Sequence, residues 1–226
     1  MDSSTQIIKD LRNKVGFNQT IDLLNYHKGV PVIIHGKIHE IRQESILFKV
    51  EPPDSICLSW DDHTLILRDS FISGIQGRIL EFNLQSGIVE LGDFAYSDRG
   101  FGERAMVRVE PEKVIEASLI SDEISIPCTV IDLSLNGFGI RTESKETANL
   151  IRAQDITVKL SILDHEIEIS GTLLAIFPKP DHFRLAVSFS QETPGYSLVT
   201  RYITQRRAEI RQEIQAAYQE AIEKNA

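Results

Sequence analysis

A chain of 226 residues with 42% hydrophobic and 25% charged residues has room for one large or two small globular cores. Its net charge of -9 excludes a broad nucleic-acid face, which would have to be basic, but leaves room for a small anion held by a local pair of arginines. No apolar run approaches the roughly 18 residues of a bilayer span, and the opening MDSSTQIIKDLRNKV lacks a basic stretch followed by an apolar one, so a cytoplasmic location is expected. Cys57 and Cys128 lie far apart with no metal-type spacing and read as buried thiols of a reducing compartment.

In chain order, residues 5–25 read as helical. Ile7, Ile8, Leu11 and Val15 recur at three or four, and Ile21, Leu23 and Leu24 form a second short piece capped around Asn18–Thr20. From Val30 the period becomes two. PVIIHGKIHEI, SILFKVE, SICLSW, HTLILRD, GRILEFNL and SGIVELGDF are short strand-type runs, broken by the turn compositions EPPD, WDDH and NLQSG. YSDRGFGERA, residues 96–105, is polar and glycine-bearing and reads as a linker or mobile loop. A second β-rich block follows, with VRVEPEKVIEASLI, SIPCTVIDLS, GFGIRT, DITVKLSIL, HEIEISGTLLAIFP and FRLAVSFS; the polar ESKETANLIRAQD between them has room for one helical turn. After Thr193-Pro194, a helix rich in Ala, Glu, Gln and Arg runs from Gly195 to about Lys224. The expected fold is mainly β: two small antiparallel β-barrels with an N-terminal helical segment and a long C-terminal helix. The expected domains are residues 1–95, a ligand loop at 96–105, and residues 106–226.

Two short motifs carry chemistry. Arg104 and Arg108 are four residues apart, which puts them on one side of either a helix or a strand. A guanidinium offers a planar fork of donors that matches phosphate oxygens and the O6/N7 edge of guanine, and its flat face stacks on bases. Alone, such a pair is commonly solvated surface. The second motif is Asp132-Leu133-Ser134-Leu135-Asn136-Gly137. Its carboxylate can accept from a guanine N–H edge and its hydroxyl can reach a phosphate or amino group. The ordinary reading is a hairpin, because Asn-Gly is the favoured pair for a type I′ turn.

Together the two motifs, with Arg108 placed 24 residues before Asp132 and β patterns around them, resemble the PilZ domain over roughly residues 97–192. That family's pattern is RxxxR followed by (D/N)xSxxG. The resemblance implies a small antiparallel barrel that binds cyclic di-GMP and needs no cofactor. By it, Arg104 and Arg108 clamp guanine and phosphate, Asp132 and Ser134 bond a guanine edge, and Asn136 and Gly137 shape the turn. One departure is Glu103, where the family often has a further arginine; Arg99 is placed to reach in instead. The first β block resembles the barrel that precedes PilZ in flagellar-brake-type proteins, in architecture only. The resemblance further implies a non-catalytic switch whose two barrels reorient on binding. Its partner would lie in the flagellar motor or in the polysaccharide or pilus machinery. A PilZ-like scaffold that works without ligand is the alternative, and the intact set Arg104, Arg108, Asp132 and Ser134 favours binding. A carbohydrate-acting enzyme would suit barrels, but the sequence sets no paired carboxylates in a recognisable context.

In the last helix Val199, Ile203, Ile210, Ile214, Ala217 and Ala221 form an apolar stripe that Arg206 interrupts. Packing against a barrel is the first expectation, self-association through this helix the second. Asp61-Asp62-His63 and Asp164-His165-Glu166 have metal-ligand composition but fall between strands, where Asp and His make turns, so no metal is expected there.

Overall fold

The computed structural model describes residues 3–14, 20–67, 74–97, 106–121 and 124–224. The chain divides into two compact units: Met1–His27, Pro31–Ala105 and Ile210–Ala226 in the first, Lys28–Val30 and Met106–Glu209 in the second.

The first unit holds α1 (Ser3–Lys14) and the strands β1 (Thr20–His27), β2 (Val30–Ile41), β3 (Ser45–Val50), β4 (His63–Leu67), β5 (Gly74–Asn83) and β6 (Ile88–Ser97). They close a barrel in the order β1-β2-β3-β6-β5-β4. Alternation marks the inner face: along β2, Val32, Ile34 and Ile38 turn inward between the exposed Ile33, His35, Lys37 and His39. Leu23, Ile34, Phe48, Ile66, Ile75 and Leu91 fill the interior, each contributing about 1.5–3 kcal/mol by leaving water. The α1 stripe Ile7, Ile8 and Leu11 is buried, and the helix lies on β6, where Ser4 Oγ accepts from the Phe94 N–H at 3.1 Å. Gly77 has no side chain because a Cβ there would stand 2.9 Å from the Phe94 ring.

Two expectations fail here. Ile21, Leu23 and Leu24 are not helical; they belong to β1, paired antiparallel with β4 through Leu23 and Ile66. Over so short a stretch Ile21 and Leu23 fit a period of two as well as a helical one, and the pairing with β4 decides. Val15, Asn18 and Gln19 lie outside the described residues. SICLSW is not a strand: Asp54–Ser59 is a 3₁₀ turn in which Ser55, Ile56, Cys57 and Leu58 are all buried. A strand exposing one face would have put every second one outside.

The second unit contains β7 (Arg108–Val109), β8 (Ile115–Ser121), β9 (Ile124–Ser134), β10 (Gly137–Thr142), β11 (Asp155–Ile162), β12 (His165–Pro178) and β13 (Phe183–Ser188); α2 (Tyr196–Lys224) follows, its residues up to Glu209 in this unit and those from Ile210 in the first. The order β10-β13-β12-β11-β8-β9 closes on itself because β9 also pairs with β10, and β7 adds to β9. This is the second six-stranded antiparallel barrel. The polar ESKETAN stretch supplies a short 3₁₀ turn, Lys145–Asn149, capped by the Ser144 side chain. Asp164 of the second acidic cluster occupies a hairpin corner with Leu163, at φ 62° and 52°, and Asp61 of the first accepts from the buried Asn25 amide at 2.8 Å. In α2, Val199, Ile203, Ile210 and Ile214 are buried. Arg206, which the pattern marks as a break, is itself only 1% exposed and belongs to the buried face. No helix among the described residues is long and apolar enough to cross a membrane.

Both cysteines are buried, at 1% and 5% exposure, and burial pushes each thiol up to about 12. Carboxylates at Asp54 and Asp61 add to the effect on Cys57. At pH 8 both remain protonated, and a thiol is a poor nucleophile. Iodoacetamide at that pH is therefore expected to label neither cysteine in the native protein and both in denaturant, read by intact mass. Labelling of the native protein at the rate of a free thiol would contradict the burial.

Candidate functional site

The outer face of the second barrel near the end of β9 is set by one irregularity. The β9–β10 register slips between Gly139 and Ile140, so that Ile140 faces Val130 while Gly139 faces Asp132. The residue gained at Ile131 is a β-bulge, and it reverses which side chains point inward. Before it Ile126, Cys128 and Val130 are in the core; after it Leu133 is, at 0% exposure. Asp132 and Ser134 consequently share the outward face, as the DxS spacing predicts.

Three pairings build a continuous surface there. Arg108 of β7 lies opposite Ser134, Ser134 opposite Gly137, and Gly137 opposite Ser188 of β13. In the adjoining row Asp132 faces Gly139, and Gly139 faces Ala186. From β7 to β13 is three strand spacings, roughly 14 Å, floored by Gly, Ala and Ser. The glycines are required by close approach: a Cβ on Gly137 would stand 2.4 Å from the Val187 carbonyl oxygen, and one on Gly139 2.4 Å from Asp132 Oδ2. A low floor of this kind accepts a flat ring.

Charge is arranged around Asp132. Its side chain is 10% exposed and lies between two half-exposed arginines. Arg108 Nη1 stands 3.5 Å from Oδ1, and Arg184 Nη2 donates to Oδ2 at 2.9 Å. Two cations over one carboxylate leave a local charge of about +1 in a chain of net charge -9. The Arg108 contact is long and its guanidinium 40% exposed, so that guanidinium can turn toward an incoming anion while Arg184 still compensates Asp132. Arg141, in register with Arg184, instead faces Glu143 at 3.3 Å and Asp181 at 3.7 Å.

Ser134 Oγ donates toward Asn136 Oδ1 at 2.9 Å and the Gly137 carbonyl at 3.1 Å. At 3% exposure the hydroxyl orders the hairpin and lies in the floor of the site. The hairpin itself differs from expectation. Ser134 pairs with Gly137, so the corner residues are Leu135 and Asn136. Positive φ outside glycine occurs, among the described residues, only at Lys28, Asp93, Ala153, Leu163 and Asp164, so the turn is not type I′. Gly137 is a strand residue, kept small by the β13 backbone rather than by turn geometry.

The structure thus brings Arg108, Asp132, Ser134, Asn136 and Gly137 together. Arg99, Glu103 and Arg104 lie outside the described residues. Sequence reading missed Gly139 and Arg184. Alternation in FRLAVS turns Arg184 outward, but only the β10–β13 register puts it beside Asp132.

Residues 103–205 match the PilZ domain family. No curated protein matches the chain. Among solved structures, Escherichia coli YcgR in complex with c-di-GMP shares 15% identity, with 94% of this chain and 92% of that chain covered and a TM-score of 0.43. The K. pneumonia MrkH–c-di-GMP complex shares 10% identity over 94% of this chain and 98% of that one, at a TM-score of 0.48. The Bacillus subtilis inhibitor of motility MotI/DgrA shares 13% identity over 86% and 98%, at 0.40.

The crowding at Gly139 gives a test of the site's construction. Gly139→Ala is expected to push Asp132 off its arginines and to lower stability by about 1–3 kcal/mol, read from the urea midpoint. An unchanged midpoint would show that Asp132 is not held as tightly as its contacts imply.

Proposed function

We propose, from the premise that residues 103–205 are a PilZ domain, that the protein is a non-catalytic receptor for cyclic di-GMP acting in the bacterial cytoplasm. The observation that carries this reading is the register that sets Arg108, Ser134 and Gly137 side by side in one row, with Asp132 in the next. The second arginine of RxxxR and the whole of DxSxxG, separated in sequence, are neighbours on one surface.

Each group has a role that its chemistry allows. Arg108 presents its fork to a phosphate or to guanine O6 and N7. Asp132 accepts from the guanine N1–H and amino group, and Ser134 supports the corner beneath it. Gly137 and Gly139 keep the floor low. Arg104 and Arg99 supply further guanidinium groups from the preceding segment. Glu103, in place of a third adjacent cation, favours one bound molecule over a stacked pair. Ligand contacts with the arginine segment reorient the two barrels, and the reoriented protein acts on a partner in motility, attachment or polysaccharide production.

Calorimetric titration of cyclic di-GMP into the protein, with GTP as control, tests the reading. Micromolar or tighter binding of the cyclic dinucleotide is expected, near one per chain, and none of GTP. Arg108→Ala is expected to abolish it while leaving the melt of the empty protein nearly unchanged, because the long Arg108 contact is lost but Arg184 still pairs with Asp132. Survival of affinity within a few-fold in that variant would sink the arginine clamp. An absence of heat at high protein concentration would leave the ligand-independent scaffold. Small-angle scattering tests the switch: profiles with and without ligand are expected to differ, and superimposable profiles would remove the reorientation step.

A further inference from the structure

Arg206 is the largest fully buried side chain among the described residues. A guanidinium carries a permanent charge, and removing it from water is costly unless its donors are met. Nε donates to the Glu110 carbonyl at 3.0 Å, and Nη1 donates to Glu209 Oε2 at 3.1 Å, three residues on in the same helix. The first bond crosses 96 residues of sequence and ends just past β7. The peptide N–H of that same Glu110 donates to the Lys28 carbonyl at 3.0 Å, and Lys28 belongs to the same compact unit. Glu110 is therefore gripped at both its amide and its carbonyl.

What this grip holds is the strand that carries Arg108. β7 has two residues, Arg108 and Val109, paired with Ser134 and Leu133. So short an edge has few ladder bonds to fix its direction, and the next firm attachment along the chain is Glu110. The geometry points to Arg206 as a positioning residue for ligand binding. It fixes the Glu110 carbonyl, keeps β7 on β9, and so aims the Arg108 guanidinium over Asp132. Helix α2 and the candidate site then share one peptide group, and ordering at either end stabilises the other. This rests on the receptor reading for the ligand, but the grip on Glu110 stands apart from it.

The test uses the full chain with Arg206→Gln, Glu209→Gln and, as a matched control, Val199→Ala, which removes buried methyl groups from the same helix. Cyclic di-GMP affinity is measured well below every melting temperature, and amide exchange at Glu110 is followed in the empty protein. Arg206→Gln is expected to weaken binding about tenfold, by analogy with the loss of an outer-shell partner that orients a metal-binding side chain, and to speed Glu110 exchange. Val199→Ala lowers the melt and leaves the affinity unchanged. Glu209→Gln weakens binding about twofold to threefold and carries the test should Arg206→Gln not fold. Wild-type affinity and wild-type Glu110 exchange in the folded variant would overturn the inference. So would an equal loss of affinity in Val199→Ala, which would reduce Arg206 to general stability. If the unaltered protein binds no cyclic di-GMP, the receptor reading fails by itself. Glu110 exchange then decides the grip, and an unchanged rate in the variants overturns it.

Discussion

The second barrel's outer surface depends on a carboxylate that is buried but not in the core. Asp132 is 7% exposed, and an ionised carboxylate at that depth needs cations or donors around it. The bulge at Ile131 turns it outward, Gly139 gives it room, and Arg108 and Arg184 neutralise it. Without the bulge the carboxylate would face Leu133's side of the sheet; with a Cβ at Gly139 it would be displaced. The same arrangement leaves one guanidinium in excess over one carboxylate, a local positive charge that an incoming anion would meet.

Barrel closure is what makes the arrangement rigid. β9 is paired on both edges, with β8 and β7 on one side and β10 on the other. A slip of one residue would exchange Asp132 and Ser134 with Leu133, putting two polar groups in the core, so the register is strongly held. Overall charge works the other way. At -9 the chain as a whole repels a nucleotide at long range, but with a Debye length of about 8 Å at physiological salt only the nearest charges matter. On the receptor reading, selectivity would rest on short-range geometry, on the low floor and on the arginines beside Asp132, rather than on a steering field.

What the sequence disclosed follows the same division between local and non-local causes. The two strand-rich blocks were legible because alternation is local: Ile126, Cys128 and Val130 announce a strand without knowledge of its neighbours. Asp132 and Ser134 were legible as one face for the same reason. Local pattern misled where two periods fit equally, at Ile21 and Leu23, and where every residue of a short run is buried, at Ser55–Leu58. Asn136-Gly137 suggested a turn from composition, but the cause of the glycine is the Val187 carbonyl on another strand. Arg184 and Gly139 were illegible because they matter only through register. Arg206 looked like a break in an apolar stripe because its acceptor at Glu110 lies 96 residues away.

The strengths of the two kinds of arginine contact differ in a way that suits a receptor. Arg108 is 40% exposed, and its pairing with Asp132 is long at 3.5 Å; the solvent already competes for it, so exchanging Asp132 for a phosphate costs little. Arg206 is at the opposite extreme, buried and bonded to a backbone carbonyl, and breaking its contacts would strand a charge in the interior. A site whose recognition group is weakly committed while its supporting strand is firmly anchored loses little interaction energy on binding. On the receptor reading, a β7 fixed in folding leaves less of the strand to be ordered when Arg108 meets a ligand, although its half-exposed guanidinium must still be oriented.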